Sequence, residues 1–135
     1  MATQIDQLYT ILINIATDLG YFSKADTNYF ETHPAIGFGT FTVENSPELG
    51  ENDRVNIDIP VVLVDAGLDP LVNVKLAKMY EEWRDAFFTN ISTELATAGI
   101  TCNIIEFGDY NPKPSNNEDI AETGLEGTVG FQLKL

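Results

Sequence analysis

The closing segment of the chain restricts its fold more than any other feature. Leu125, Val129, Phe131, Leu133 and Leu135 alternate there with Glu126, Thr128, Gln132 and Lys134. Successive side chains of a strand point to opposite faces, so this pattern specifies a strand with one buried and one wet face. Residues 54–65 follow the same rule. Val55, Ile57, Ile59, Val61 and Leu63 face one way, Asn56 and Asp58 the other. Pro60 has no N–H to give a ladder, so this strand lies at an edge or is bulged there. Residues 35–44 and Ile100–Phe107 supply two further strands.

Two helices complete the pattern. Thr3 and Asp6 form a capping-box-like start, Ile5, Leu8, Leu12, Ile15, Ala16 and Leu19 recur at helical spacing, and Gly20 supplies a stop. Asp69-Pro70 opens the second helix with a carboxylate cap and a proline at the first helical position, and Gly99 ends it. The expectation is an α+β fold of αββαββ order: a mostly antiparallel, four-stranded sheet with both helices packed on one face. The 135 residues make one domain, able to bury roughly two-thirds of the surface its unfolded chain exposes.

The connecting segments are less determinate. Residues 21–34, with Tyr21, Phe22, Tyr29 and Phe30, read as a loop packing either on the core or on a partner. Residues 45–53 read as an extended acidic hairpin loop, and Asp109–Thr123, rich in proline and asparagine, as a long irregular one. Gly37-Phe38-Gly39 marks a close backbone approach or a bulge rather than a dinucleotide loop. On the second helix Phe88 and Leu95 fall to one side of the Met79–Ile91 stripe, beyond Arg84. That flank is covered either by the first helix or by another subunit. Lys75 and Lys78 neighbour Glu81, Glu82 and Asp85, which makes cross-subunit ion pairing a hypothesis.

Charge excludes more than it selects. With 21 acidic and 7 basic residues the formal charge is −14, which disfavours gripping nucleic acid or an anionic membrane. Most of these carboxylates are expected to lack an internal cationic partner. No apolar run approaches the roughly 20 residues that cross a bilayer. The N-terminus has no signal-peptide pattern, and Asn90-Ile91-Ser92 lies in a helix, so its sequon is read as chance; a reducing cytoplasm is the expected setting.

The chemistry-bearing residues do not assemble into a catalytic or metal motif. Cys102, the single cysteine, sits among isoleucines as a small core residue, and His33, the single histidine, reads as a surface or packing residue. Neither acidic loop has the ligand spacing of a calcium loop. No catalytic, cofactor-binding or metal residue is assigned, and an enzyme is not expected.

The order of elements resembles the tail terminator (tail-completion) proteins of long-tailed bacteriophages, of the lambda and HK97 type. The resemblance rests on the helix Ile5–Leu19, the strand Val55–Val64, the Asp69-Pro70 opening of a long aromatic helix, and the closing strand at 124–133. It implies a virion protein, assembled in the host cytoplasm, that forms a homohexameric ring on the tail tube protein. Such a ring ends tube polymerisation and meets the head–tail connector or stopper, with DNA passing through unbound and no membrane or cofactor involved. Candidate contact residues are Glu48, Glu51 and Asp53 in the first acidic loop, Asn111, Asn116 and Asp119 in the second, and Lys75, Lys78, Arg84, Phe88 and Leu95 on the helix. Another tail tube, neck or head-completion protein, or a cellular small-ligand-binding domain, are the alternatives.

Overall fold

The computed structural model describes residues 3–27, 30–45, 54–66, 70–113 and 122–134. Helix α1 (Gln4–Asp18) begins as its sequence requires. The Asp6 amide donates to Thr3 Oγ1 at 3.1 Å and the Thr3 amide donates to Asp6 Oδ2 at 3.4 Å, a reciprocal capping box. Helix α2 (Pro70–Thr97) has 28 residues and so runs about 42 Å. Gly20 and Gly99 follow the two helices with φ of 94° and 74°, the left-handed conformation that a side chain resists. Neither helix is long and apolar enough to cross a membrane. The Asp69 cap lies outside the described residues.

The sheet is larger than four strands, and mixed. Among the described residues it comprises β1 (Phe22–Lys24), β2 (Ala35–Phe38), β3 (Thr42–Asn45), β4 (Arg54–Ala66), β5 (Cys102–Phe107), β6 (Asn111–Lys113) and β7 (Glu122–Lys134). The central strands β4 and β7 pair antiparallel over their full 13 residues. Along one half β1 and β2 flank β4, with β1 parallel to β2, while β6 flanks β7. Along the other half the order is β3–β4–β7–β5, all antiparallel. The overall class is therefore α+β, but the expected αββαββ order and mostly antiparallel four-stranded sheet give way to this seven-stranded arrangement.

The differences have local causes. The expected strand 35–44 is interrupted between Phe38, opposite Val61, and Thr42, opposite Asp58. Three residues thus oppose two, a bulge that exchanges which parity faces the core. It falls where Pro60 lacks its N–H, and the Gly39 amide donates to the Pro60 carbonyl at 2.9 Å. β1 and β6, unexpected in loops, are three-residue strands too short for an alternation to be read.

Both helices pack on the same sheet face. Leu8, Leu12 and Ile15 of α1 and Met79, Trp83, Phe87 and Ile91 of α2 join Val55, Ile57, Ile59, Val61 and Leu63 of β4 and Val129, Phe131 and Leu133 of β7 in one buried cluster. Each fully buried side chain of this size contributes about 1.5–3 kcal/mol. On the opposite face Phe30 packs over Ala35, Val62 and Val64 as a small second cluster. Gly37 lies directly under the Phe30 ring, which leaves no room there for a side chain. Phe30 and the Asp26 carbonyl therefore pack on the sheet, across its far face.

Candidate functional site

The far face changes character along β4 and β7. Beside Phe30 it is apolar, but toward Arg54 it is polar and acidic. Across the four-stranded half, one row reads Thr42–Asp58–Gly130–Glu106 and the next but one Glu44–Asn56–Gln132–Ile104. Gly130 makes a gap in this surface into which two carboxylates lean. A methyl group at 130 would stand 2.7 Å from Asp58 Oδ1 and 3.7 Å from Glu106 Oε2. Gln132 Nε2 donates to Asn56 Oδ1 at 3.3 Å beside them. Together with Glu44 these residues line a groove of about 240 Å³. Asp58, Glu106 and Glu44 are exposed. Among the described residues no group of three or more His, Cys, Asp and Glu side chains is placed to hold a metal ion. What the groove offers is a negative, hydrogen-bond-accepting floor that repels phosphate.

A second groove on the same face, about 450 Å³, runs between β4 and β6 and is lined by Asn111 with Asp109, Lys113, Glu126 and Thr128. Asn111 is exposed.

A third cleft, about 400 Å³, lies where the end of β4 and the residues before β2 face α2. Lys75, Lys78 and Met79 form one wall, Tyr21, His33, Pro34 and Asp65 the other. His33 is a packing residue. Its side chain is 10% exposed, and Nε2 lies 2.5 Å from Oε2 of Glu122, itself 6% exposed. The Tyr21 hydroxyl donates to Glu82 Oε2 at 2.6 Å, and Lys78 lies 3.7 Å from the same carboxylate group. Burial, reinforced by that carboxylate, holds the Tyr21 hydroxyl above its ordinary range. Lys78 thus has an ion-pair partner one turn along its own helix.

The lateral edges carry four of the five large exposed apolar side chains among the described residues. Of five large hydrophobics at the described surface, Phe22 lies on β1, Val43 on β3, Ile104 on β5 and Phe88 beside β5; Val74 is the fifth. Phe88 closes an aromatic cluster with Phe87 and Phe107, at 5.5 and 5.6 Å between ring centroids, and the Arg84 guanidinium lies 5.1 Å over its outer face. Arg84 and Phe88 are thus brought together as one exposed patch.

Leu95 is not part of it. At 3% exposure it belongs to the hydrophobic core, because α1 runs beside the second half of α2 and covers that flank. Its side chain is therefore enclosed by the chain's own core and does not reach a partner, contrary to the expectation from sequence. Cys102 is half-buried, and burial raises its thiol above the usual range. Glu48, Glu51, Asp53, Asn116 and Asp119 lie outside the described residues. The Asp58–Glu106 pair, the His33–Glu122 pair and the open edges were not singled out from sequence; the only signal for the first was the polar phase of the 54–65 alternation. No protein-family model matches the chain, and no curated protein matches it in sequence.

Proposed function

We propose that the chain is a ring-forming virion protein of the tail terminator type. It would cap the tail tube of a long-tailed bacteriophage, end its polymerisation and join it to the head connector. The observation that carries this reading is the pair of unlike sheet edges, β3 and β5, each flanked by an exposed apolar residue. Unlike surfaces on opposite sides of a subunit associate head to tail, and a head-to-tail contact whose rotation closes makes a ring.

The acidic far face suits a wall past which DNA moves. Negative charge repels phosphate and limits adhesion, so the polymer slides. Electron microscopy of the purified protein at high concentration tests the reading. Discrete short rings are expected. Long tubes would transfer the chain to the tail-tube class. Absence of rings, together with no shortening of tubes when the protein is added to polymerising tail-tube protein, would overturn the proposal.

A further inference from the structure

We infer that copies of this chain join by antiparallel addition of the β5 edge of one copy to the β3 edge of the next, with Val43 seated against the neighbour's Phe88. The inference rests on the ring reading and specifies its joint.

The four edge strands are not equivalent. β6 contains Pro112 and Lys113, and β1 ends in Lys24. Proline and lysine on an edge are the usual means by which proteins keep strands from pairing with other chains. β3, Thr42–Asn45, and β5, Cys102–Phe107, contain neither. Among the described residues β3 pairs only with β4, and β5 only with β7. The edges free of lysine and proline are therefore the two that bound the four-stranded half, on opposite sides; β5 departs from regular pairing only between Cys102 and Ile104.

Polarity supports joining those two. β3 is antiparallel to β4, β4 to β7 and β7 to β5, so β3 and β5 run in opposite directions within one copy. A rotation about an axis along the strands brings β5 of one copy beside β3 of the next with those directions kept. The new pair is antiparallel and extends the existing ladder. The same operation keeps every helical layer on one side and every acidic face on the other.

The side chains fit this joint. Val43 stands opposite Ile57 and so on the helix-bearing face, yet it is 51% exposed because the helices do not reach the β3 edge. On that same face the β5 edge offers Phe88, 48% exposed, packed on Phe107. Each is an apolar surface left open at its own edge, and the joint covers one with the other.

The test is cysteine cross-linking in a Cys102→Ser background. Val43→Cys and Phe88→Cys are made singly and together, and each protein is treated at high concentration with a short bis-maleimide. Both positions are half-exposed, so the variants are expected to fold. The double variant should give a covalent ladder extending beyond the dimer, while each single variant stays monomeric. A Phe88→Cys single variant that dimerises as efficiently as the double would show a symmetric β5-to-β5 contact and overturn the joint. So would monomers throughout. Rings by microscopy without a ladder would sink the joint and leave the ring reading intact; a ladder accompanied by open filaments would keep the joint and sink the terminator reading.

Discussion

The Tyr110 ring rests against the backbone of Gly127, in the space that a side chain at 127 would fill. Tyr110 reaches this position from the segment after β5, stacks on Phe107 at 4.8 Å and 10°, and accepts a hydrogen bond from Trp83 Nε1 at 3.0 Å. The glycine interrupts the apolar phase of β7, and the tyrosine fills the gap it leaves. Gly127→Ala should therefore lower unfolding free energy by about 1–3 kcal/mol, the usual cost of overpacking. Urea titration checks it. An unchanged or raised midpoint would mean that the ring moves aside freely and that loss of glycine's unfolded-state freedom dominates.

The buried His33–Glu122 pair leads to a second expectation. It ties the segment before β2 to the first residue of β7, far apart in sequence. Removing the imidazole leaves a 6%-exposed carboxyl group without this hydrogen-bond partner, and leaving a buried polar group unsatisfied costs about 1–3 kcal/mol. His33→Ala should be destabilising, and His33→Ala/Glu122→Ala less so than the two single effects added. A double-mutant cycle by denaturant unfolding measures that coupling. Strict additivity would show that the two side chains pack independently.

These two contacts mark the limit of what the sequence makes legible. The helix ends were readable because the determinants are local: Thr3 with Asp6, Gly20, Gly99. β4 and β7 were readable because 13 residues give an alternation room to repeat. The interruption between Phe38 and Thr42 was foreshadowed only by Pro60, a residue on the neighbouring strand. Whether Phe30 packs on the core or on a partner was open, since its place on the far face depends on Gly37 lying beneath it. Leu95 went to the wrong surface because a helical projection records angle and not which neighbour occupies that angle. Of the candidate site, the acidic phase of β4 was visible; Glu106 converging with Asp58 over Gly130 required the register of three strands.

Alkaline pH should weaken the fold through its tyrosines. Burial raises the Tyr110 hydroxyl above its ordinary value of 10.0, against a smaller lowering by the Trp83 hydrogen bond; burial likewise raises Tyr9 and Tyr21. These groups keep their protons in the folded chain after the unfolded chain has lost them. Above about pH 10 the folded state thus binds more protons, and stability falls as pH rises. Their contribution is complete below that pH and is lost progressively above it. Urea midpoints from pH 8 to 11 should show a plateau and then a decline. Tyr110→Phe should flatten the decline while lowering the plateau, because the Trp83 N–H loses its acceptor.

Phe88 and Leu95, seven residues apart on α2, should separate folding from association. Leu95 is enclosed by the chain's own core, so Leu95→Ala should cost about 2–5 kcal/mol by transfer and cavity terms. Phe88 is half-exposed, with ring contacts to Phe87 and Phe107 and the Arg84 guanidinium over its ring. Phe88→Asp should leave the thermal midpoint much closer to wild type. The same substitution places a carboxylate where the neighbour's Val43 is proposed to sit, next to a chain already at −14. Self-association followed by light scattering should then be lost in Phe88→Asp. A Phe88→Asp protein that keeps the wild-type oligomeric state would remove this patch from the interface. Loss of association only in parallel with unfolding would reduce Phe88 to a structural residue, so the two measurements must be made on the same preparations.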